Sequence, residues 1–140
     1  MAKRSDGALA DVGGPQYAAG NVPAGAAADA TTDHPVFRAP FACKIRKVRI
    51  VPGAAITGAD TNTAYFTLYM RGSDGGGTTA LATRMNVSGT DSVANDAINL
   101  YAPASALEIV QDAVLSIQRT KFGTGLAVPQ VFVETEFEAN

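Results

Sequence analysis

Residues 63–71 alternate without a break. Ala64, Phe66, Leu68 and Met70 occupy one phase, and Thr63, Tyr65, Thr67, Tyr69 and Arg71 the other. A period of two is the signature of a strand with one buried face. The same period returns along the rest of the chain, cut by turn residues every ten or so positions. Phe41 to Val51 alternates with Cys43 and Ile45 on the apolar side, slips phase at Arg46-Lys47, and resumes with Val48 and Ile50. Two successive polar residues inside an alternating run read as a β-bulge. Pro52-Gly53 ends that strand.

Further extended runs are His34–Arg38, Thr79–Val87, Asp96–Tyr101, Leu107–Val110, Ala113–Arg119 and Val131–Phe137. Ser73-Asp74-Gly75-Gly76-Gly77 reads as a hairpin loop, since Asp-Gly between alternating runs favours a tight turn. Pro103–Leu107 is the only helical candidate, about one turn long. About eight short strands with Gly and Pro turns predict an all-β fold, a single β-sandwich with jelly-roll-like topology. No internal repeat interrupts that reading.

Residues 1–33 differ from the rest. They hold five glycines, two prolines and many alanines, with Leu9, Val12, Tyr17 and Val22 as the bulky apolar side chains. A segment of that composition buries too little surface to offset its own ordering entropy. The expected division is an extended N-terminal arm over 1–33 and a sandwich over 34–140. The arm would take its order from a neighbouring chain, and its removal would leave a folded domain.

The single cysteine, Cys43, forms no intrachain disulfide and lies in an apolar strand, which points to a buried structural thiol. The single histidine, His34, sits beside Pro35 with no nucleophile elbow near it. Gly75–Gly77 lacks the Lys-Ser/Thr of a phosphate loop, and Asp60-Thr61-Asn62 lacks the later Gly and Glu of a calcium loop. A turn and an Asx-rich turn are the better readings. The expectation is therefore a non-enzymatic protein with no cofactor and no metal. The formal charge of −2 argues against a nucleic-acid partner. No apolar run has the length of a membrane span, and the basic start lacks the apolar stretch of a signal peptide.

Two surface features carry the remaining information. Lys44, Arg46, Lys47 and Arg49 form a basic stripe. It either meets an acidic partner or pairs internally with Glu134, Glu136 and Glu138, which stand at period two on the last strand. Tyr65, Tyr69 and Phe132 face outward, where aromatic side chains are enriched between subunits. The candidate assembly contacts are thus Leu9, Val12, Tyr17, Val22, the four basic residues, Tyr65, Tyr69 and Phe132. Tyr65 and Tyr69 could instead form a stacking platform for a carbohydrate.

The layout of FRAPFACKIRKVRIVPGA (37–54), TAYFTLYMRGSDGG (63–76) and DAVLSIQRTKFGTGLAVPQVFVETEFE (112–138) resembles the capsid decoration, or cement, proteins of tailed bacteriophages. The resemblance covers residues 34–140 in style and the arm in composition only. It implies a jelly-roll-like subunit, often a homotrimer, on the capsid exterior of the virion. Such a subunit is made in the host cytoplasm and braces the major capsid protein, partly by arms laid over neighbours. Another virion β module, such as a head-fibre base or tail-associated adaptor, shares the same expected fold.

Overall fold

The computed structural model describes residues 14–29 and 31–140. It contains nine strands: β1 (Gln16–Val22), β2 (Thr32–Arg38), β3 (Cys43–Pro52), β4 (Thr63–Gly72), β5 (Thr79–Met85), β6 (Ile98–Tyr101), β7 (Leu107–Ile109), β8 (Val114–Phe122) and β9 (Val131–Ala139). No helix occurs among the described residues. The stretch expected as a helical turn, Pro103–Leu107, is a bend running into β7, because Leu107 pairs with Ile45 of β3.

One sheet has the order β1-β9-β3-β6, with β7 beside β6 on the same edge of β3, and the other has the order β2-β8-β4-β5. All the ladders are antiparallel. The pairs β1·β9, β2·β8, β3·β6/β7 and β4·β5 nest like one long hairpin. Rolling that hairpin brings β9 against β3 and β8 against β4. This is the jelly-roll arrangement, here with a five-strand and a four-strand layer closing over one core.

The alternating residues meet between the layers. Ile45, Val48, Leu68, Leu115, Ile117 and Val133 have no exposed surface, and Phe37 packs on Phe137 with ring centroids 5.0 Å apart. The bulge read at Arg46-Lys47 is present: the β3·β9 register shifts between Ile45 and Lys47. It keeps Ile45 and Val48 on the buried face although three positions separate them.

The N-terminal division does not stand. Gln16–Val22 pairs residue by residue with β9, from Gln16 opposite Phe137 to Val22 opposite Val131, and Val22 is 1% exposed. Asp33 and His34, the boundary expected between arm and sandwich, lie inside β2. The small residues that read as a disordered composition are a packing requirement. A Cβ on Gly20 would lie 2.5 Å from the Val36 carbonyl oxygen, so β1 and β2 approach closely only because position 20 has no side chain. These two strands are the neighbouring edges of the two sheets. Pro35 sits on the β2 edge, where a missing N–H costs least.

The loop after β1 is fastened as well. Gly25 and Val128 exchange backbone hydrogen bonds of 3.0 and 2.9 Å. Arg119, the largest fully buried side chain, donates from Nη2 to the Ala26 carbonyl at 3.2 Å and lies 3.6 Å from Asp29 Oδ2. A buried guanidinium needs such partners. Asp29 in turn accepts from the Ala26 N–H at 2.7 Å.

Four loops meet at this end of the roll. Asn62 Oδ1 accepts from the Thr124 N–H, Asp60 Oδ1 from the Ser88 N–H, and Asp91 Oδ1 from the Gly58 N–H. Ile56 and Ser92 form a two-hydrogen-bond bridge. Asp60 and Asn62, expected to serve a local Asx-rich turn, instead cap backbone N–H groups of other loops.

Two outcomes follow for stability. Removing residues 1–31 deletes β1 and uncovers Arg119 and the β9 edge, so the product should fail to give a cooperative thermal transition. Removing 1–13 leaves every described ladder and should retain a cooperative transition. Gly125 has φ +83°, and a Cβ there would overlap the Ala27 carbonyl. Gly125→Ala should lower unfolding free energy by about 2 kcal/mol or more in urea titration.

Candidate assembly surfaces

The first sheet presents a charged outer face. Every basic candidate has an acidic cross-strand neighbour: Lys44 opposite Glu138, Lys47 opposite Glu136, and Arg49 opposite Glu134. Arg49 forks between two carboxylates, Nη1 to Glu134 at 2.7 Å and Nη2 to Glu136 at 3.1 Å. Arg46, the bulged residue, pairs with Glu138. On the opposite side of β3, Glu108 of β7 stands in register with Lys44.

Four cations thus face four anions on one sheet face, and the stripe carries no net field with which to attract a polyanion. Of the two readings open from the sequence, the geometry realises internal pairing. Glu108 escaped the sequence reading because its strand is three residues long, too short for its alternation to stand out.

The apolar candidates separate. Leu9 and Val12 lie outside the described residues. Val22 belongs to the core. Tyr17 points outward from β1 at 58% exposure, and Phe132 points outward from β9 at 44%. Phe132 lies between Asn21 of β1 and Val51 of β3. It borders a shallow hollow of about 200 Å³ with Val51, Gly53, Asn95 and Gln130.

Tyr65 and Tyr69 lie on the other sheet, away from those two rings. Tyr65 contacts the Phe122 ring at 4.1 Å between centroids, and the Arg71 guanidinium covers Tyr69 at 4.3 Å. Each ring therefore has one face engaged by its own chain. Phe122 was not among the candidates. Its signal was the outward phase Gln118, Thr120, Phe122, legible had β8 been carried beyond Arg119.

The chemically suggestive residues hold structural posts. His34 Nε2 shares a hydrogen bond with Thr32 Oγ1 at 3.0 Å. Cys43 is fully buried, and burial pushes its thiol pKa up, away from the reactive thiolate. Among the described residues no three His, Cys, Asp or Glu side chains are grouped to hold a metal ion.

An apolar groove of about 390 Å³ runs between the β1 and β2 edges, lined in part by Ala18, Val36, Phe37 and Phe137.

Arg49→Glu should cost about 1–2 kcal/mol in urea denaturation, because it sets three carboxylates together. Combining it with Glu134→Arg should restore part of the loss. Native Cys43 should resist alkylation at pH 8 and react at the free-thiol rate in denaturant. The raised folded pKa means that the unfolded thiol ionises first, so stability should fall once pH passes about 8.5.

No protein-family profile and no curated protein matches the chain. Among solved structures, it is similar to a structure of the infectious bursal disease virus Gx strain, at 15% identity and a TM-score of 0.39, over 89% of this chain and 32% of that one. The chain thus spans about a third of the length of that neighbour, and a score at that level supports no inference from one protein to the other.

Proposed function

We propose that this chain is a structural virion protein, a rigid jelly-roll subunit that binds the outside of a phage capsid shell and stabilises it. The observation that carries this reading is the strand order, β1-β9-β3-β6/β7 over β2-β8-β4-β5. A jelly-roll subunit is what the resemblance to decoration proteins calls for. Fold alone does not assign function, so the weight falls on surface and location.

The side chains that could have signalled chemistry (His34, Cys43, Asp60, Asn62) are used to hold the fold. This favours a binding module over an enzyme. The partners are the major capsid protein and other copies of this chain. The shell contact is assigned to Tyr17 and Phe132 on the outer face of the first sheet, with the charge-balanced rows around them supplying register. Each contact is modest, and repetition across a shell multiplies it through effective concentration. Residues 14–29 take no part as a clamp, because their own sandwich holds them. Any arm is confined to residues 1–13, with Leu9 and Val12.

The test is location in particles. Virions of the source should contain the chain in a fixed ratio to the shell protein, with cryo-electron microscopy density outside the shell. Tyr17→Asp with Phe132→Asp should lower occupancy at least tenfold while the circular dichroism spectrum is unchanged. Density at the tail or fibre base would move the protein to another virion module. Absence from particles would overturn the assignment.

A further inference from the structure

The two outer faces of the sandwich differ in chemistry. The first sheet shows rows of paired charges. The outer face of the second sheet is almost without charge. Its register rows place Thr67 between Thr83 and Gln118, and Tyr65 between Met85 and Thr120. The charges at its margin cancel in two ion pairs, Arg71 with Asp33 at 3.1 Å and Arg38 with Asp112 at 2.7 Å. Arg71 reaches across β8, donating to Ser116 Oγ at 2.9 Å on the way. One end of the face carries a contiguous apolar patch: Met85 at 50% exposure, Phe122 at 42%, and Tyr65 packed on Phe122.

A solvated sheet face is normally polar and charged. Depletion of charge with Tyr, Phe and Met present is the composition of an interface core. We propose that this face binds the same face of a second copy of the chain, as a two-fold symmetric dimer.

Two arguments select that occupant. The first is complementarity. In a two-fold contact each residue meets the patch it belongs to, so the patch must suit itself. Hydroxyls and amides both donate and accept, so Thr83, Thr120 and Gln118, which bond within one copy as Thr67–Thr83 and Thr120–Gln118, have capacity left to meet their own copies. The apolar cluster finds an apolar cluster, and no net charge is brought against its like.

The second is area. The four strands are seven to ten residues long. At about 4.8 Å between strands and about 3.4 Å per residue they span about 500 Å² per copy. The pair then buries about 1,000 Å², the lower bound for a specific interface. A weak dimer is expected, and the contact does not depend on where the protein sits in a particle.

Sedimentation equilibrium of the full chain tests it. The protein should pass from monomer to dimer with a dissociation constant of about 10–100 µM. Met85→Arg with Phe122→Arg sets cations against cations and should weaken dimerisation at least tenfold, with an unchanged thermal melt. Tyr17→Arg, on the other sheet, should have no effect. If the double variant fails to fold, Thr83→Arg, exposed on the edge strand β5, serves in its place with the same expected loss. A monomer at all concentrations overturns the proposal. So does a dimer indifferent to these arginines, or a trimer, which would need two different surfaces on each copy. Protection of Met85 and Phe122 from oxidative footprinting only when shell protein is added would assign the face to the shell instead, and would also overturn it.

Discussion

Strand β9 is the member on which the roll depends. From Val131 to Phe137 each residue has a register partner on β1, and from Val131 to Ala139 the strand follows β3 on its other edge, through the bulge. Its inward phase, Val131, Val133, Thr135 and Phe137, is buried, while its outward phase carries Phe132 and three glutamates. One nine-residue strand therefore closes the roll, lines the core and supplies the counter-charges of β3. Separating β1 from it would expose the edge of a central strand and the Val22 seat together.

The loop end of the molecule shows how a chain with many turns becomes rigid. Ile56 and Val128 anchor two of the loops in the core, but the other loop residues are mostly small or polar. They are held by one another. Asn62, Asp60 and Asp91 each cap a backbone N–H of a different loop, and the loop after β1 closes over Arg119. The three caps are solvent-exposed bonds worth about 1 kcal/mol or less each, and their effect lies in tying different loops together. Loss of one cap therefore loosens its neighbours. Such an end cap holds the two sheets in a fixed relation at that end of the roll.

The contrast between those faces has a physical origin in the pleat. Because successive side chains point to opposite sides, each strand writes two independent surfaces, one for the core and one for the exterior. The exterior phase of β3 and β9 was given opposite charges that cancel across the ladder. The exterior phase of β4, β5 and β8 was given hydroxyls, an amide and apolar groups. The first face is soluble as it stands. The second has the chemistry of a surface that is covered.

Much was legible in the sequence. Alternation placed β3, β4, β8 and β9 and the faces of their side chains, because a half-buried strand must repeat at two. The slip at Arg46-Lys47 gave the bulge, which is set by neighbours in sequence, whereas Asp60 and Asn62 were legible as turn residues but not as caps of the distant Ser88 and Thr124 N–H groups. The place of Gln16–Val22 was not legible. Its Ala and Gly residues have low strand propensity, and their role appears only when Gly20 is seen against the Val36 carbonyl. Nor could the sequence choose between partner and internal pairing for Arg46 and Arg49, whose carboxylates lie 85 or more positions away. Local pattern determined what each strand offers to its two faces. Only the tertiary fold decided which strands meet, because that choice is made by long-range burial and close backbone approach, which leave no periodic trace in the chain.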